Sequence, residues 1–183
     1  MTGHHLILGE LTDYLTGQTL DDTHDERYRQ RLARLLVEER GYRKADIRPR
    51  ISLPIKAGER RAQVTVDLAI NLLQRTGMII KYGPGSLVTR YRPALAASRL
   101  LGPYQVPVVV VTNGEDAHVL DGETGQLMAE GFAAIPSRTE LAERCRSAPT
   151  VPVTPRQADM AQRILFAFEI IGACNCDPES CPL

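Results

Sequence analysis

The chain has 183 residues, 43% hydrophobic and 24% charged, which is enough for one domain with a real core and no need of disulfide staples. It holds no run of 18 apolar residues and no basic-then-apolar leader, so neither a membrane-spanning helix nor a secretory signal is expected; four cysteines are too few for a disulfide scaffold, and the expected compartment is the reducing cytoplasm. The formal charge is zero but segregated, with six acids and no Lys or Arg in residues 1–26, a net +12 in residues 27–99 and a net −6 in residues 100–183, which points to an anionic partner if the basic stretch gathers on one surface.

The first predicted element is a helix. Thr23 followed by Glu26 reads as a capping box, Tyr28, Leu32, Leu35 and Leu36 form one apolar stripe, and Gly41 supplies the stop. Ile47, Ile51, Leu53 and Ile55 then follow a spacing of two up to a turn at Ala57-Gly58-Glu59. In Gln63–Ile70 the alternation sets Val64, Val66, Leu68 and Ile70 on one face and Asp67 on the other. A turn at Gln74–Gly77 and a short strand Met78–Tyr82 lead into a Gly83-Pro84-Gly85 loop. Pro93 suits the first residue of a helix running to Leu101. Val106–Thr112 reads as a strand buried on both faces, Asn113-Gly114 as a turn, Ala117–Leu120 as a strand and Asp121–Gly125 as another turn.

Thr139–Arg146 is a short predicted helix, and Ser147–Pro155, with three prolines in nine residues, an extended linker. Thr154 and Pro155 open a last helix with Met160, Ile164, Leu165, Phe168 and Ile171 as its apolar stripe. The element order predicts an α/β (α+β) fold: a mixed central sheet flanked by helices, with a C-terminal helix and a Cys-rich tail. The expected division is an N-terminal extension (1–21), a main domain (22–146), a Pro-rich linker (147–155) and the helix with its tail (156–183).

Metal-assisted phosphodiester hydrolysis needs carboxylates for a divalent ion and a cation near the scissile phosphate. Asp67 and Lys81, on neighbouring strands, are placed to meet at one sheet end, and Glu26, Glu38 or Glu39 on the first helix offers another acid. At this point a resemblance emerges. The helix ERYRQRLARLLVEERGY, the strand ending VDL, then IIK, a helix and VVVVTNGEDAHVLD resemble the nuclease-like N-terminal domain of type I restriction enzyme R subunits, over about residues 22–122. That domain belongs to the restriction-endonuclease-like, PD-(D/E)XK superfamily. The resemblance implies Asp67 as the metal-binding aspartate, Lys81 as the motif lysine, Glu26 as the first-helix acid, Mg²⁺ as cofactor and DNA as partner. Arg90, Arg92 and Arg99 beside the Gly-Pro-Gly loop are the candidate phosphate contacts.

One departure matters: the acid expected two residues before the lysine is Ile79. Either another acid substitutes, or this copy of the fold does not cut and serves as a DNA- or protein-binding module. At the C-terminus, Cys174, Cys176 and Cys181, with Cys145 upstream, form a thiol group of the kind that holds zinc or an iron–sulfur cluster, although C-x-C-x4-C fits no standard zinc spacing. A thiolate metal-binding or redox protein is therefore the third reading. Three Phe, six Tyr and no Trp argue against a base-stacking platform.

Overall fold

The computed structural model describes residues 6–171. Two short strands, β1 (Glu10–Thr12) and β2 (Thr19–Asp21), form an antiparallel hairpin ahead of helix α1 (His24–Arg34), which continues as a π turn over Leu35–Glu39. A six-stranded sheet follows in sequential order: β3 (Ile47–Ala57), β4 (Arg60–Leu72), β5 (Arg75–Tyr82), β6 (Val108–Thr112), β7 (Ala117–Asp121) and β8 (Leu127–Glu130). Every neighbouring pair is antiparallel except β5 and β6, which are parallel and joined by helix α2 (Val88–Ser98). Helix α3 (Arg138–Ser147) and helix α4 (Pro155–Leu165), the latter extended by a π turn over Phe166–Ile171, complete the chain. The mixed α/β architecture is the one the element order predicts.

Each sheet face carries its own core. Leu32 of α1, Leu36 of the π turn that follows it and Leu141 of α3 pack on Leu68, Ile70, Met78 and Ile80. Ala94 and Ala97 of α2 and Leu165 of α4 pack on Val64, Val66, Ile79 and Val109. Val108–Thr112 is buried throughout, as a β-branched run between two helical layers requires.

The alternation from Val64 to Ile70 does not keep one face. Val64 and Val66 belong to the second core, Leu68 and Ile70 to the first. β3 changes face at the same level, with Ile47 in the first core and Leu53 and Ile55 in the second. On β3 the change falls at Arg50, whose φ of 50° is left-handed and breaks the pleat opposite Asp67, between the pairs Pro49–Leu68 and Ile51–Val66.

Three other expectations are corrected. The turn after β4 is tighter than Gln74–Gly77: Leu73 and Gln74, with φ of 52° and 60°, form a two-residue connection of the mirror-image type that matches strand twist. Pro93 does not open α2; the helix begins at Val88, and the burial of Pro93, Ala94, Ala96 and Ala97 outweighs the hydrogen bond that proline forfeits. In α4 the buried residues are Ala161 and Leu165, joined by Phe166 of the π turn, while Met160 and Phe168 are exposed: Met160 lies off the Ala161–Leu165 face, and the π turn rotates the face beyond Leu165. The Pro-rich segment after α3 is pinned to the loop before β6 by Gln105 N–H to Val151 O and Val153 N–H to Pro103 O.

Candidate functional site

Glu26, Arg29 and Gln30 lie at i, i+3 and i+4 on α1 and so share one side of it. Thr23 caps the helix by accepting from the Glu26 N–H at 3.1 Å, but the capping box is only half made. The Glu26 carboxylate turns inward instead, to Gln30 Nε2 at 2.8 Å, Arg29 Nη1 at 3.0 Å and Arg50 Nη1 at 3.0 Å. Gln30 in turn accepts from the Tyr14 N–H at 2.7 Å, which ties the β1–β2 hairpin to the helix. Arg50, bent inward by its left-handed backbone, also donates to Asp13.

Asp67 stands at the break in β4, buried to 4% exposure. Its Oδ1 accepts from Arg29 Nε at 2.6 Å and its Oδ2 from the Tyr82 N–H at 2.8 Å. Glu26 and Asp67 are therefore joined through one guanidinium. Burial works against the charge on Arg29, and the adjoining Asp67 and Glu26 carboxylates more than offset it, so its pKa lies above the ordinary arginine value.

Lys81 takes a different direction. The pairing Leu68–Ile80 brings Asp67 and Lys81 to the same rim of β4 and β5. The Lys81 ammonium, however, donates to Thr65 O at 3.1 Å and pairs with Glu169 at 2.9 Å, in the π turn after α4. Asp67 thus engages the α1 layer and Lys81 the α4 layer. Ile79, in the position where the motif expects an acid, is fully buried in the second core.

A family model, Type I restriction enzyme R protein N terminus (HSDR_N), matches residues 24–136. The chain belongs to this family. No curated protein and no solved structure matches it. The family segment begins with α1 and ends just before α3, so Glu169, the partner of Lys81, lies outside it.

The residues of this restriction-enzyme R-protein domain that would hold Mg²⁺ can be tested against the geometry. Mg²⁺ needs oxygen ligands free to close on it in octahedral order. Here the oxygens of Asp67 and Glu26 already accept from Arg29, Arg50, Gln30 and the Tyr82 N–H, and a cation between the two acids would meet the Arg29 guanidinium. Among the described residues no group of three or more His, Cys, Asp or Glu side chains is arranged to hold a metal ion. The donor set in this arrangement does not fit Mg²⁺.

Of the three candidate phosphate contacts, Arg90 lies over Gly83 and donates from Nη2 to Pro84 O at 2.9 Å, and Arg99 donates to Gln105 Oε1 at 3.3 Å. Arg92 is exposed on α2. Cys145 is buried in the first core, close enough to Gly77 that a Cβ there would lie 2.5 Å from its sulfur, and burial raises its thiol pKa. Cys174, Cys176 and Cys181 lie outside the described residues.

Sequence reasoning missed Asp13, Arg29, Arg50 and Glu169. Arg29 carried a local signal, three residues after Glu26 on the same helix side. The other three come from distant segments and had none. It also missed that Tyr91 of α2 meets His118 Nδ1 through its hydroxyl at 2.6 Å. Beside Asp67, Tyr28 stacks on Tyr82 with centroids 5.1 Å apart, at the wall of a cleft of about 440 Å³ that also includes Arg31, Leu32, Leu35 and Phe132. Gly114 is required at its rim: its φ is 91°, and a Cβ would lie 2.5 Å from the Tyr28 ring.

Proposed function

We propose that this chain is a DNA-binding module of restriction-endonuclease-like, PD-(D/E)XK descent that binds duplex DNA without cutting it. The observation that carries the reading is Arg29. Its guanidinium lies between Asp67 and Glu26 and neutralises them without a metal. Ile79 removes the carboxylate that the resemblance expects beside Lys81, and Glu169 neutralises Lys81 from the opposite layer. On this reading the domain keeps the scaffold of its restriction-enzyme family and has given up the metal site. Arg92 serves as a phosphate contact, while Arg90 and Arg99 hold the loops around it.

The test is an incubation of the full chain with supercoiled plasmid and Mg²⁺ or Mn²⁺, alongside binding to a labelled duplex. The expected result is intact plasmid, a melting temperature unmoved by millimolar Mg²⁺, and duplex affinity that falls steeply with salt. Nicking that disappears in Asp67→Ala and Lys81→Ala would restore a hydrolase. Absence of duplex binding at low salt would remove DNA as the partner.

A further inference from the structure

β3 and β4 pair over almost their whole length, from Ile47–Ile70 to Ala57–Arg60. β5 pairs only with the Leu68–Leu72 end of β4. The Ile51–Ala57 and Arg60–Val66 halves therefore leave the sheet as a two-stranded ribbon. One ribbon face, Leu53, Ile55, Val64 and Val66, is buried in the second core with Ala161 and Leu165 of α4. The other face consists of three cross-strand pairs, Ser52–Thr65, Pro54–Gln63 and Lys56–Arg61, all six residues exposed. Arg60 is exposed at the tip.

We infer that this ribbon face is the arm by which the protein contacts double-stranded DNA, with Lys56, Arg60 and Arg61 on phosphates. The inference deepens the DNA-binding reading above and rests on it. Three features support it. Lys56 stands directly across from Arg61, and like charges in that position weaken a strand pair. Among the described residues neither of these two nor Arg60 has an ion-pair partner. The uncharged polar members of the face, Ser52, Gln63 and Thr65, are hydrogen-bonding groups, and the one acid of the ribbon, Glu59, is exposed in the turn beside Arg60. A ribbon of two strands also has the width that a DNA major groove admits. Charge complementarity thus selects a polyanion, and the ribbon's shape selects a duplex.

The test measures anisotropy of a labelled 20-base-pair duplex against salt, for the full chain and for two variants. In Lys56→Gln/Arg60→Gln/Arg61→Gln the log–log salt slope should fall by about 2 to 3 and the affinity at low salt by at least about 10-fold. Lys56→Glu should weaken binding while raising the melting temperature, because it turns a repulsive cross-strand pair into an attractive one. A purely structural role for Lys56 would lower stability and leave the salt slope unchanged. If the wild type binds duplex and the triple variant binds equally with the same slope, the ribbon is not the contact and the DNA reading stands. If the wild type fails to bind duplex, that reading and this one both fall. Tighter binding to a single strand of the same length would overturn the duplex assignment.

Discussion

Arg29 carries a fixed positive charge at the point where two buried carboxylates meet, and it is held there by bonds from both. Removing it would leave Glu26 and Asp67 facing each other with one guanidinium, Arg50, on the far side of Glu26 only. Arg29→Ala is expected to cost about 3 kcal/mol in urea unfolding, the scale of an uncompensated buried charge. Arg29→Lys should recover little, since one ammonium cannot reproduce a planar fork that addresses two acids. A variant as stable as wild type would show that the network does not contribute to folding. Asp13 is the acid to follow by pH. Burial raises its carboxyl, and the bonds from Arg50 and the Leu15 N–H outweigh that, so its pKa lies below the ordinary 3.8. A folded pKa below the unfolded one gives stability that is complete above the ordinary value and lost as pH falls through the lower, folded one. Asp13→Asn should therefore flatten the acid limb of stability below about pH 4, with little further change in slope at neutral pH.

At the scale of elements, the tight β4–β5 hairpin offers a test with few side effects. Leu73 is 54% exposed, and both turn residues hold left-handed backbones that Asn and Gly adopt at lower cost. Leu73→Asn/Gln74→Gly should stabilise by roughly 0.5–1 kcal/mol and raise the melting temperature by about 2–3 °C. An unchanged or lower melting temperature would mean that Leu73 contributes packing its exposure conceals. This turn also shows where sequence reading ends. α1 was legible from Thr23 and its stripe, and β3 to β7 were legible from alternation and β-branched runs, because local pattern and tertiary burial agree there. Val64 to Ile70 alternates without fault, yet half of it faces the other core, and the switch coincides with the left-handed Arg50 on the neighbouring strand, which no local pattern announces. β1, β2 and β8 have three or four residues each and exist through their partners, so no local period announces them. In the site, Asp67, Lys81 and Glu26 could be picked out as residue types, but the cations and acids that partner them could not. Arg50 lies 24 residues from Glu26, and Glu169 lies 88 residues from Lys81.

At the scale of the molecule, the family segment of residues 24–136 does not close its own cores. The first needs Leu141 and Cys145 from α3, and the second needs Ala161 and Leu165 from α4 and Phe166 from its π turn. Without α4, the apolar face of the β3–β4 ribbon opens to water, and Lys81 loses its carboxylate. The segment between α3 and α4 is itself strapped to the loop before β6, which limits the positions α4 can reach. Truncation after residue 150 should thus do more than remove an appendage: it should lower the melting temperature, expose dye-binding apolar surface and promote association through the ribbon. Glu169→Gln separates the electrostatic part from the packing part. It keeps the helix seated but leaves the Lys81 ammonium, only 8% exposed, with the Thr65 carbonyl as its remaining partner, at an expected cost of about 1–3 kcal/mol. A truncated chain that melts at the wild-type temperature, together with a silent Glu169→Gln, would show that α4 rests on a domain already complete. A large loss on truncation with a smaller one for Glu169→Gln would show that α4 completes the second core mainly by packing, with the ion pair as a secondary term.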